Sequence, residues 1–238
     1  MSQDQKPKAY FYLAEFEFLA PYLEREFAAY SRVYNLDDDG ATADVAVMIS
    51  STDIYDVVEG MNYDENTPVK TDSDLAKHEQ IFRDICNKHN LKPTILRCAN
   101  IIGTGMIGLP MRLARGIARG TMTTIKDNDA VISTVHAIDV ARIALQLAAS
   151  GTTFNVTNGI DTPVSSMVDA LSHRIKDKRV FQLSARWARL LYGAEYFKTL
   201  TTTLTFNNIR MMHALDPDTQ LTDIVQYLNN HDYSNDTI

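Results

Sequence analysis

The sequence predicts an α/β chain, a mostly parallel sheet flanked by helices. Two observations carry this expectation. Short apolar runs alternate along 238 residues with longer stretches whose apolar side chains recur at helical spacing, and such alternation builds parallel sheets covered on both faces. In addition, 45% of the residues are hydrophobic and 22% charged. That is enough apolar material for one large domain, or one domain with a small appendage.

Residues 9–13 (AYFYL) read as a buried strand rich in aromatics. Residues 16–30 carry apolar side chains at helical spacing, with Pro21 placed to mark a late helix start. A second strand at 32–36 closes on the acidic turn Asp37-Asp38-Asp39-Gly40, and a third at 45–50 (VAVMIS) follows almost at once. A helix is expected over 72–90. The strand at 94–98 (TILRC) then runs into the glycine-bearing loop Gly103-Thr104-Gly105, and a helix over 109–120 stops at Gly120. Next come a strand at 131–136 and an amphipathic helix at 138–149, with Asp139 in its first turn where the helix dipole favours a carboxylate. A strand at 154–157 and a helix at 164–175, announced by Thr162-Pro163, complete the alternation. The remainder reads as mainly helical and ends in a polar tail from His231. The expected organisation is a core over 1–160 with an abbreviated N-terminal part. A small, mainly helical subdomain over 161–238 is not clearly separable from it.

The net charge of -7 and the pI near 5.3 argue against a nucleic-acid partner, since neutralising phosphates needs clustered Lys and Arg. Cys86 and Cys98 fit no metal or redox spacing and read as reduced, mostly buried thiols. The start MSQDQKPK is polar and leads into no signal-type apolar segment. No apolar run approaches the roughly 20 residues of a transmembrane helix. The expectation is a cytoplasmic protein with no metal, nucleic-acid or membrane partner.

Five segments between about 45 and 175 carry a family pattern: VMISSTDIYD (47–56), DENTP (64–68), ILRCANIIGTG (95–105), STVHAIDVARIALQLA (133–148) and FNVTNG (154–159). Together, in this order, they resemble the extended short-chain dehydrogenase/reductases, specifically the NAD-dependent epimerase/dehydratase family that acts on nucleotide sugars. The resemblance implies a Rossmann-like fold, NAD or NADP as cofactor, a small-molecule or nucleotide-sugar ligand, and a homo-oligomer. It assigns Ser51 to the catalytic serine position and Lys77 to the lysine that supports the cofactor ribose. It puts Asp37 where the ribose-binding acid falls, and Asn100 in the substrate cleft beside Ser51.

The departures bear on activity. The family runs its first strand into Gly-x-x-Gly-x-x-Gly, so that backbone can approach the pyrophosphate. Here Leu13, Phe16 and Leu19 fall at the glycine positions. The family's tyrosine stands four residues before the lysine. Here that residue is Ser73, whose hydroxyl is far too basic to replace a phenol without an activating base. The stretch between the second strand and VAVMIS is also shorter than a parallel crossover usually needs, so strands 32–36 and 45–50 pair as a hairpin or the N-terminal part is rebuilt. The fold expected is therefore a trimmed Rossmann-like one.

Plainer readings stand beside these. Asp37 also fits a solvated turn, Ser51 and Ser73 fit hydroxyl caps, and His78 with Glu79 fits a solvated helix face. Arg97 reads as a structural ion-pair partner and His136 as a satisfied structural histidine. Met211-Met212-His213 reads as core or interface, and the helix-like run around Trp187 as a lid or dimer contact. Three functions remain open: a catalytically impaired family member (a pseudoenzyme), an active NAD(P)-dependent epimerase or reductase with altered cofactor binding, and a non-catalytic subunit acting through a partner chain.

Overall fold

A computed structural model of the chain describes residues 6–34, 43–56, 58, 63–176 and 180–231. In chain order it runs β1 (Lys8–Tyr12), a 3-10 turn (Glu17–Leu19), α1 (Ala20–Glu26), β2 (Ser31–Tyr34), β3 (Val45–Ser51), α2 (Asp74–Lys88), β4 (Pro93–Cys98) and β5 (Asn100–Ile102). There follow α3 (Gly108–Arg119), β6 (Thr124–Ile125), β7 (Val131–Ile132), β8 (Thr134–His136), α4 (Ala137–Leu147) and β9 (Thr153–Val156). The chain continues through β10 (Thr162–Pro163), α5 (Val164–Lys176), β11 (Gln182–Leu183), α6 (Ala185–Thr201), α7 (Ile209–Ala214) and α8 (Ile224–Asn230).

The main sheet has the order β2-β1-β3-β4-β9, and every neighbouring pair in it is parallel. The Rossmann-like, mostly parallel architecture expected from the sequence is present. The hairpin alternative is not: β2 and β3 lie on opposite sides of β1, with Tyr10 opposite both Val33 and Ala46. The reason is burial. β1 has Ala9, Tyr10 and Phe11 fully buried, so both its edges and both its faces are covered, as a central parallel strand requires. The strand expected at 131–136 is split at Ser133. Val131 and Ile132 pair antiparallel with β10, whereas Thr134–His136 pair in parallel with β5.

Side-chain alternation sorts the sheet into two faces. Phe11, Val47, Ile49, Leu96 and Phe154 point into a core shared with α1 and α4, while Tyr10, Met48 and Ile95 pack under Phe82 and Cys86 of α2. Another core gathers Ile102, Leu113 and Ile117 from the middle of the chain with Met167, Leu171, Ala188 and Leu228 from its last third. At the C-terminal ends of β3 and β4 a smaller cluster of Ile54, Tyr55, Tyr63, Ala99 and Phe206 closes over the strands. In open α/β sheets, ligands bind at the carboxyl ends of the strands.

Candidate functional site

The turn from β1 into α1 is where a parallel sheet of this kind presents a helix N-terminus to an anion. Its composition runs against that use. Leu13, Phe16 and Leu19 are 2%, 5% and 0% exposed and belong to the core beneath the turn. Glu17 sits in its first turn, and Pro21 takes one of the first positions of α1. A carboxylate there repels phosphate directly and itself occupies the positive end of the helix dipole that would attract it, and proline removes one of the free N–H donors.

The opposite wall closes in as well. A methyl group at Gly105 (φ +82°) would lie 2.9 Å from Phe18 Cβ. One at Gly103 would lie 2.9 Å from Ala137 Cβ and 3.3 Å from Tyr22 Oη. These glycines let the 103–105 loop meet Phe18 and Tyr22 of the β1–α1 segment. The close approach that glycine permits is spent here on apolar packing. A nicotinamide dinucleotide does not fit this turn in the family's manner: no glycine lies in it, and its central side chains are locked in the core.

The residues expected to act are each engaged with a separate local partner. Ser51, at the end of β3, accepts a hydrogen bond from the Asp53 amide at 3.1 Å and caps the 3-10 turn that follows. Ser73 is the N-cap of α2: its hydroxyl accepts from the Ala76 amide at 3.2 Å and donates to the Lys70 carbonyl at 2.7 Å. Lys77 points to solvent and pairs with Asp74 at 2.8 Å. The hydrogen bond and charge of Asp74 hold its ammonium above the ordinary lysine value. The side chain that α2 turns inward at this level is Leu75, which packs against the cluster of Ile54, Tyr55 and Phe206. Asn100 donates from Nδ2 to the Ser133 carbonyl at 3.1 Å, tying β5 to the start of β8. Asp37 lies outside the described residues.

Glu79, expected on a solvated face, is instead 5% exposed and central to a buried network. Ser50, Arg97 and Asn155 stand directly opposite one another across β3, β4 and β9, so their side chains leave the same face of the sheet. Arg97 donates to both oxygens of Glu79 at 2.8 Å, a bidentate pair, and Ser50 Oγ donates to Glu79 at 3.0 Å. Arg97 also donates to Tyr55 Oη at 3.0 Å, and that hydroxyl donates to Asn155 Oδ1 at 2.7 Å. Burial alone would lower the Arg97 value, but the Glu79 hydrogen bonds and charge outweigh it and keep the guanidinium charged. Burial pushes the Tyr55 phenol up, against the pull of Arg97, so this tyrosine is a poor source of tyrosinate. Tyr63, the other tyrosine of the region, exchanges hydrogen bonds with the backbone of Asp56 and Val58.

Beside this network a cleft of about 590 Å3 opens between α2 and the residues Ile54, Val69 and Thr71, with Ala76, Gln80, Arg83 and Arg97 among its walls. Lys77 lines it, whereas Ser51 and Asn100 do not. Arg97 is thus the structural ion-pair partner the sequence suggested. Its acid, Glu79, was legible only as a helical residue on the wrong face. His136 caps α4 by accepting from the Ile138 amide at Nδ1. Its Nε2 has no hydrogen-bond partner among the described residues, so the histidine is structural without being fully satisfied. Cys86 and Cys98 are free and buried; burial pushes the Cys86 thiol up to about 12 and Cys98 upward as well. Among the described residues no group of three or more metal-ligating side chains occurs, and no helix is long and apolar enough to cross a membrane.

A parallel sheet with these crossovers and strand-end loops defines the class of the extended short-chain dehydrogenase/reductases. The NAD dependent epimerase/dehydratase family matches residues 28–157, more than half of the chain, and the chain belongs to that family. Solved structures that share its fold include the following. RMD from Pseudomonas aeruginosa, complexed with NADPH, superposes with a TM-score of 0.66 at 15% identity, over 95% of this chain and 97% of its own. UDP-N-acetylglucosamine 4-epimerase from Bacillus cereus gives 0.65 at 12% identity, over 93% and 96%. The dTDP-glucose 4,6-dehydratase of Bacillus anthracis, in complex with NAD, gives 0.61 at 12% identity, over 93% and 94%. Comparison with curated protein sequences returns no match.

Proposed function

We propose that this chain is a catalytically impaired epimerase/dehydratase-family protein of the nucleotide-sugar type, which keeps the fold without the family's nicotinamide chemistry. One observation carries the reading: Leu13, Phe16 and Leu19 fill the turn where a dinucleotide pyrophosphate would lie, and all three are buried in the core. The local engagement of Ser51, Ser73, Lys77 and Asn100, each with a partner of its own, supports it, because acid–base transfer needs its groups free to reach one reacting atom. In this reading the core over 1–160 and the subdomain over 161–238 serve binding. Ser51 and Asn100 stay near the strand ends as contacts for a small-molecule or nucleotide-sugar ligand, in a cytoplasmic homo-oligomer.

Calorimetric titration with NADH and NADPH, on wild type and Lys77→Ala, tests this. No heat at millimolar cofactor is the expected result. Micromolar binding that weakens in Lys77→Ala would overturn the reading and restore an active oxidoreductase with altered cofactor binding.

A further inference from the structure

Helix α6 turns two different stripes outward and inward. Ala188, Tyr192, Tyr196 and Leu200, spaced by four, face the body of the protein: Ala188 and Leu200 are 0% and 1% exposed. Tyr192 Oη accepts from the Thr123 amide at 2.6 Å, and Arg112 stacks over the Tyr196 ring at 4.2 Å. The other stripe has no cover. Trp187, Leu190 and Leu191 are 61%, 75% and 58% exposed, and Phe181, just before the helix, is 83% exposed. At 100° per residue the three helix side chains fall within an arc of about 100°, with Arg186 and Arg189 on one flank. Gly193, at φ +75° and ψ 165°, breaks the helix directly after this segment, so the apolar stripe projects on two turns.

The charge on α6 and its neighbour α3 is the reverse of the chain's. Together α3 and α6 hold six cations and one carboxylate, in a chain whose net charge is -7. Arg112, Arg115 and Arg119 recur at helical spacing on one exposed face of α3, and the Arg112–Tyr196 stack joins that face to α6. Among the described residues no carboxylate lies within ion-pair distance of Arg115, Arg119, Arg186 or Arg189 (the ion pairs formed elsewhere use other cations).

We propose that this surface, α6 with the arginine face of α3, docks on an anionic phospholipid bilayer. A helix with Trp and Leu beside arginines, preceded by an exposed Phe, matches the bilayer interface, where apolar side chains enter the acyl boundary and cations meet headgroup phosphates. Pairing of two copies through this patch would place like charges face to face. Nucleic acid would leave Leu190 and Leu191 without a use. Repulsion from the acidic remainder is screened beyond a Debye length of about 8 Å at physiological salt. The expectation of no membrane partner rested on the lack of a spanning segment, which a surface helix does not need.

Trp187 is the sole tryptophan of the chain and reports directly. Its emission is expected to shift to the blue with phosphatidylglycerol–phosphatidylcholine vesicles, and to stay unchanged with phosphatidylcholine alone. The chain is expected to co-sediment with the anionic vesicles and to be released by salt. Each arginine near an anionic surface is worth about fivefold in partitioning, so Arg186→Gln/Arg189→Gln lowers it roughly 30-fold. Circular dichroism of that exposed double variant, unchanged from wild type, shows that the fold is intact. Absence of a shift with anionic vesicles overturns the proposal, as does equal partitioning onto phosphatidylcholine. So does a blue shift produced by self-association or by nucleic acid in the absence of lipid.

Discussion

Truncating the side chains that close the β1–α1 turn asks directly whether they are structural. Leu19 is 0% and Phe16 5% exposed, and both pack into the core that also holds Phe11, Leu23 and Val140. A buried Leu→Ala change costs about 2–5 kcal/mol and Phe→Ala about 3–5 kcal/mol, the lost transfer energy plus the cavity left behind. Taking about 3 kcal/mol for Leu19→Ala, and a urea dependence of about 3 kcal/mol per molar, the unfolding midpoint falls by about 1 M. Equilibrium urea unfolding followed by far-ultraviolet circular dichroism measures this. The same variants titrated with NADH are expected to gain no affinity, because Glu17 and Pro21 still oppose an anion at that helix start. A midpoint shift below about 0.3 M, on the same scale, accompanied by new cofactor binding, would refute the reasoning: the turn would then be an open cradle loosely covered by side chains.

Other expectations follow from the same packing. Glu79→Ala strands the buried Arg97 guanidinium and lowers stability by about 3–5 kcal/mol, whereas Glu79→Leu/Arg97→Met recovers most of it; denaturant titration separates the two. Lys77→Ala leaves the thermal midpoint unchanged, since the residue pairs only with Asp74 in solvent. Gly105→Ala meets Phe18 and an adverse φ and costs about 1–3 kcal/mol, less in a Phe18→Ala background, as a double-mutant cycle would read. Burial is the main cause holding the His136 imidazole below its ordinary value. The unfolded chain therefore takes up the proton first, and stability present above about pH 6.5 is lost as pH falls through and below it. His136→Asn, which keeps an acceptor for the Ile138 amide, flattens that loss when unfolding is followed from pH 7.5 to 5.5, values chosen to bracket the histidine range of about 6.5.

Arg97 shows how the legible and the illegible divide. Its strand was readable, because TILRC is a short, mostly apolar run that starts after Lys92-Pro93, and the structure extends it by only one residue, to Pro93. Its partner was not. Glu79 lies in a helix whose charges suggest a wet face, and only the seating of α2 on Tyr10, Met48 and Ile95 turns that carboxylate inward. Trp187 is the converse. Its helix was expected from pattern, but that its aromatic ring stands exposed beside unpaired arginines depends on which stripe α5, β11 and α3 leave uncovered.

By itself the sequence determined the alternation of strands and helices, the parallel sheet and the apolar character of Leu13, Phe16 and Leu19 in the β1–α1 turn. Those properties follow from local periodicity and side-chain volume, which a linear chain displays directly. Tertiary structure decided that β3 pairs with β1 across from β2, and that Ser50, Arg97 and Asn155 form one row under Glu79. It also decided that Ser51, Ser73, Lys77 and Asn100 each find separate local partners. Register and helix seating bring together residues tens of positions apart, and neither is written in spacing along the chain. They are set by which buried faces exclude water when the whole core closes.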